Sequence, residues 1–130
     1  MWRRMREQRG ASVVEFALVL PLLIALVIGI AEFGHAFQVK STLSAAARES
    51  ARTMALQNNA AQARVTARSA AGTLDPALTD AQIVITPATC PAGTTTTSVR
   101  VTITYRMPYL TGFFGSGVDV NGTGVMRCNG

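Results

Sequence analysis

"EFGHAFQVKSTLSAAARESARTMAL", Glu32 to Leu56, is the stretch on which the fold turns. Phe33, Phe37, Leu43, Ala47, Ala51 and Met54 recur mostly at three- or four-residue steps, with one gap of six across Lys40. That spacing predicts an amphipathic helix with one apolar stripe. The abundance of alanine favours helix intrinsically. A stripe of this kind needs something to cover it, and the segments on either side decide what that is.

On the N-terminal side the stripe gives way to a fully apolar run. Ala17 to Ala31, "ALVLPLLIALVIGIA", has no charge and no strongly polar side chain over fifteen residues. Counted from Ala11, twenty-one residues hold only Ser12 and Glu15 as polar members. As a helix this spans roughly 31 Å, close to the hydrocarbon thickness of a bilayer. Residues 11–31 therefore read as a transmembrane helix, continuous with an amphipathic helical region over 32–72. Pro21 inside the run predicts a modest kink.

The charge distribution sets a topology. The chain is +5 overall, and its first ten residues hold Arg3, Arg4, Arg6 and Arg9 against Glu7. That leader carries +3, leaving +2 for the eight basic and six acidic side chains that follow. Basic residues flanking an apolar span mark the cytoplasmic side. Residues 1–10 are thus expected in the cytoplasm, with the C-terminal region periplasmic or extracytoplasmic. The other arginines are scattered without interleaved aromatics, so a nucleic-acid face is not expected.

On the C-terminal side the period changes. Asn58 and Asn59 mark a stop or a cap, and a short second helix is expected over 60–71, ended by Gly72. "LDPALTDA" is read as loop. "QIVITP" reads as a short strand. In "SVRVTITYRM", Val99, Val101, Ile103 and Tyr105 alternate with Arg100, Thr102, Thr104 and Arg106, the pattern of a half-buried antiparallel strand. "GVDVNGTGVMRC" is a weaker third strand, with Asn121-Gly122 as a turn or a bulge. A helix with an apolar stripe and two or three strands with one apolar face solve each other's burial. The expected fold is α+β, a small antiparallel sheet in a β-rich region over 73–130 packed on the helix.

Cys90 and Cys128 both fall on the outer side. Two readings stand: a disulfide, favoured by an even count in an oxidising compartment, or two free buried thiols. A bridge would close a loop of 39 residues and add about 4 kcal/mol by chain entropy. Two cysteines and the distant His35 lack zinc-ligand spacing. No cofactor, metal or small-molecule substrate is expected. "GFFGSG" and "NGTG" do not join a strand to a helix and are not phosphate cradles. No nucleophile has a base beside it, so an enzyme is not expected.

Glu15 is the anomaly. A carboxylate inside hydrocarbon costs roughly 2.5 to 3.5 kcal/mol at the centre and less near the edge. Glu15 could simply mark the boundary and snorkel, but Val13 and Val14 already precede it. A cut after Gly10 would supply a partner, the α-amino group of Ala11, one helical turn away within a chain or within reach between staggered chains.

"RGASVVEF" followed by an apolar helix resembles the processing site of type IV pilin-like precursors. The longer stretch "RGASVVEFALVLPLLIALVIGIAEFGHAF" with "AARESAR" is similar to the TadE-like family of the tight-adherence (Tad/Flp) pilus. Glu15-Phe16, Glu32-Phe33-Gly34 and Ala46 to Arg52 carry the likeness. The resemblance implies a minor pilin or pseudopilin in the inner membrane, cut between Gly10 and Ala11 by a prepilin peptidase. Glu15 and Phe16 would serve assembly, and the partners would be other pilins and assembly proteins of the same system. The competing reading is a secreted or singly anchored envelope protein with an ordinary signal peptide, cut after Gly29-x-Ala31 or Gly34-x-Ala36. Against it, the helical pattern runs through both positions.

Overall fold

A computed structural model describes residues 2–93 and 96–129. The chain divides into two units, Met1–Gly34 and His35–Gly130. One helix, α1 (Trp2–Gln57), contributes all of the first unit's described structure and the first layer of the second. The charged leader is part of this helix. Pro21 lies inside it and does not end it, although its missing N–H leaves one carbonyl of the preceding turn without its usual donor.

In the second unit α1 ends at two asparagines. Asn58 takes a left-handed backbone, φ 48°, which asparagine tolerates better than most residues. Its side-chain oxygen accepts from the Cys90 backbone N–H at 2.6 Å. Asn59 caps α2 (Ala60–Ala70), its side-chain oxygen accepting from Gln62 N–H at 3.0 Å. The two helices lie close because the residues between them are small. Ala63 and Ala67 are buried, and the Ser50 hydroxyl donates to the Ala63 carbonyl at 2.8 Å. Gly72 follows the Ala71 C-cap without the left-handed conformation common after helices.

Three strands follow: β1 (Ile83–Thr86), β2 (Ser98–Pro108) and β3 (Gly117–Arg127). They form one antiparallel sheet in the order β1-β2-β3. The period-2 pattern of β2 is realised in full: Val99, Val101, Ile103, Tyr105 and Met107 are buried and the residues between them are not. Ile83 and Ile85 of β1 join the same face. Fold class is therefore α+β, with the inner face of the sheet packed on the helical layer.

The buried stripe of α1 differs from the expected one. Leu43, Ala47, Ala51 and Met54 are buried, together with Val39, Ala46, Ser50 and Ala55. Phe33 and Phe37 are 76% and 70% exposed. The six-residue step from Phe37 to Leu43 explains the break for Phe37, since it sets those two side chains about 120° apart around the axis.

Asn121-Gly122 is neither turn nor bulge. β3 pairs with β2 one for one from Gly117 to Arg127, with Asn121 opposite Thr104 and Gly122 opposite Ile103. The glycine answers a different need. A Cβ on Gly122 would lie 2.5 Å from the Leu43 carbonyl carbon, and one on Gly124 would lie 2.4 Å from the Ala47 carbonyl oxygen. Two residues of strand advance about 6.8 Å and four residues of helix about 6.0 Å. Gly122 and Gly124 thus keep step with Leu43 and Ala47, and backbone meets backbone. Near this seam the Lys40 ammonium donates to the Asn121 carbonyl at 2.8 Å.

Candidate processing and assembly site

Gly10, Ala11, Glu15 and Phe16 lie within two turns of α1 in the first unit, and all four are exposed. Ala11 and Glu15 are four residues apart, on one face and about 6 Å apart along the axis. A Cβ added at Gly10 would meet nothing within 4 Å, so no packing demands glycine there. Helix geometry commits the Gly10 carbonyl to the Val14 N–H. Across the same bond, the Ser12 hydroxyl donates to the Gln8 carbonyl at 3.1 Å. The Gly10–Ala11 peptide is therefore held in helix, and a protease that takes its substrate extended must first unwind it. Glycine makes that about 1 kcal/mol easier than alanine would.

The turns that follow present apolar side chains outward: Val13, Val14, Phe16, Leu18, Val19, Leu22, Leu23, Leu26, Val27 and Ile30 are all exposed. The helix is long and apolar enough to cross a membrane, and none of its apolar window is buried. It is a candidate single span. Glu32 is buried.

In "AARESAR" the structure separates two kinds of residue. Ala46, Ala47, Ser50 and Ala51 are buried, while Arg48, Glu49 and Arg52 are exposed. Small side chains are needed on the inner face because Gly124 touches it at Ala47 and α2 touches it at Ser50. The partners of this segment, Gly122 and Gly124, were not singled out as helix contacts in the sequence reading. Their signal was present: both occupy apolar-face positions of a period-2 strand, where a side chain would otherwise be expected.

Cys90 and Cys128 are joined in a disulfide. It ties the loop after β1 to the residue after β3. Beside it, the Cys128 N–H donates to the Thr97 carbonyl at 2.8 Å and the Asn129 N–H donates to the Ala55 carbonyl at 3.2 Å.

The second unit also has a cleft of about 430 Å³ between His35, Gln38 and Thr42 of α1, Thr73 to Asp75, Tyr105, and Met107 to Leu110. On its wall the Tyr105 hydroxyl donates to the Pro76 carbonyl at 2.8 Å. Burial, with a smaller contribution from the Asp75 carboxylate, pushes the Tyr105 phenol above its ordinary pKa of 10.0. Both effects disfavour the phenolate. Among the described residues, no three His, Cys, Asp or Glu side chains gather as metal ligands would.

The family model described as TadE-like protein matches residues 10–52. The match opens on Gly10, covers the apolar run, and closes on the exposed Arg52, next to the buried Ala51; the sheet lies outside it. No curated protein and no solved structure matches the chain.

Proposed function

Taking residues 10–52 as TadE-like, we propose that the chain is a minor pilin-like subunit of the tight-adherence pilus, serving its assembly and so adherence and biofilm formation. In this reading a prepilin peptidase removes residues 1–10 by cutting the Gly10–Ala11 bond. Residues 11–31 span the inner membrane, and residues 32–72 and 73–130 form the helical and β-rich parts outside it. The leader arginines orient the precursor with its N-terminus in the cytoplasm. The chain works by assembly with other pilins and assembly proteins of its system, not by catalysis.

The observation that carries the proposal is the start of the family match at the glycine that precedes Ala11 and, four residues on, Glu15. Cleavage turns the Ala11 nitrogen into an ammonium. That cation and the Glu15 carboxylate offset each other's desolvation, which neither can do alone in hydrocarbon. The pair forms within one chain over a helical turn, or between staggered neighbours. Phe16, exposed beside Glu15, would pack against a neighbouring helix. The unbroken course of α1 through Ala31 and Ala36 supports this reading over a signal peptide cut there.

The test is to express the full chain with and without its prepilin peptidase and to read the new N-terminus by mass spectrometry. The expected product begins at Ala11 and disappears on substitution of Gly10. Cleavage after Ala31 or Ala36 would sink the proposal.

A further inference from the structure

Between Arg106 and Asp119 the chain runs for twelve residues without a charge, "MPYLTGFFGSGV". Those two residues face each other across β2 and β3 and form an ion pair at 3.4 Å. Beyond the pair the hairpin carries Leu110, Phe113 and Phe114, all exposed, with Phe113 at 74%. Connecting loops on a water-facing surface are normally polar, and a contiguous exposed apolar cluster marks a contact surface. The loop is not slack. Phe114 stacks edge-to-face on Tyr109 at 6.5 Å between ring centroids and 72° between planes, and the Tyr109 N–H donates to the Ser116 carbonyl at 3.3 Å.

The position of the loop within the second unit identifies its occupant. Tyr109 and Leu110 share the cleft with His35 and Gln38, so the hairpin lies at the end of the unit where α1 enters. The seam gives the same answer. Gly122 is level with Leu43. From Gly122 back to Gly117 is about 17 Å of strand, and from Leu43 back to His35 is about 12 Å of helix. The hairpin therefore reaches the level of His35, the first residue of the second unit. His35 is only four residues, about 6 Å of helix, beyond the end of the apolar run at Ala31, and the interfacial zone on each side of the hydrocarbon is about 5–7 Å thick.

We infer that the Leu110–Phe114 hairpin tip inserts into the lipid headgroup region and is a second membrane contact of the same chain. The inference rests on reading residues 17–31 as a span. Uncharged aromatic tips suit an interface where one side of the ring is apolar and the other wet. The Arg106–Asp119 pair at the root stays on the water side and limits the depth.

Depth-dependent quenching tests this on the full-length chain, carrying Trp2→Phe to remove its one tryptophan. It is reconstituted in phosphatidylcholine vesicles brominated near the top of the acyl chains, and for position 23, in mid-span, also in vesicles brominated near the chain ends. Single tryptophans are placed by Phe113→Trp, by Phe114→Trp as a second reporter, by Leu23→Trp in the span, and by Leu56→Trp at the opposite end of the second unit. At the roughly 5–10 Å immersion of an interfacial apolar face, emission from 113 or 114 is expected to fall about twofold. Position 23 should be quenched and position 56 unaffected. Quenching at 23 without quenching at 113 and 114 overturns the inference and leaves the span intact. Quenching at 56 equal to that at 113 overturns it as well, because the whole unit would then lie on the surface. No quenching at 23 overturns the span reading and this inference with it.

Discussion

Tyr105 shows how much one side chain can carry. Its ring closes the buried face of β2 and its hydroxyl reaches the Pro76 carbonyl. Tyr105→Phe keeps the ring and leaves that carbonyl without its donor, so a loss of about 1 kcal/mol is expected in urea unfolding at neutral pH. The pH dependence has a definite sign. The folded phenol sits above 10.0, so between pH 10 and the folded pKa the unfolded chain releases a proton that the folded chain keeps. Stability then falls as pH rises through that window. The variant lacks this fall, and the gap between the two proteins should narrow above pH 10. The ring was legible in the sequence from its place in the alternation. Its partner was not, because Pro76 lies 29 residues away in a loop without periodicity. Glu15 makes the complementary case. If the proposed cut falls after Gly10, Glu15→Val should leave it intact, since that bond lies more than a turn away, while assembly of the proposed pilus drops. Unchanged filament yield, scored by electron microscopy, would remove the charge-pairing idea.

At the scale of elements, periodicity revealed what each segment would become but not how segments meet. The strands follow from alternation, which a one-residue slip would invert. The helix stripe was legible from Leu43 onward, because that face is continuous. Phe33 and Phe37 were drawn into it by spacing alone, which does not register the 120° turn at the six-residue gap. Asn121-Gly122 has the composition of a hairpin turn, and only the approach of α1 explains why a glycine stands in mid-strand. The seam makes a sharp prediction. Gly124→Ala sets a methyl against the Ala47 backbone, which has no flexible end to move, and should cost about 3 kcal/mol, the upper range for overpacking. Thr123→Ala, one residue away on the outer face, should stay within about 0.5 kcal/mol. Equal losses in the two variants, measured by the urea midpoint, would refute the close approach as the reason for glycine.

Across the whole molecule, two surface patterns share one helix. The apolar run and the amphipathic stripe were separable in the sequence by composition, because the run is apolar on every side and the stripe on one side only. The division at Gly34 lies close to that change of character. The disulfide was one of two open readings, since sequence alone cannot bring Cys90 to Cys128; the sheet does so by carrying β3 back past the loop that follows β1. Replacing both cysteines by serine should lower stability by about 4 kcal/mol in the chain-entropy account, with a steeper denaturant slope because the unfolded chain, freed of the bridge, exposes more surface. A loss below about 1 kcal/mol would mean that the unfolded chain is already constrained there. One further contact has a collective meaning. β3 is the outermost strand on its side and eleven residues long, the kind of border on which a strand from another molecule can template itself. Lys40 sets an ammonium against a carbonyl of that border. A strand adding to that border would first have to displace the ammonium from the Asn121 carbonyl, so this one lysine guards the sheet against sideways β-pairing.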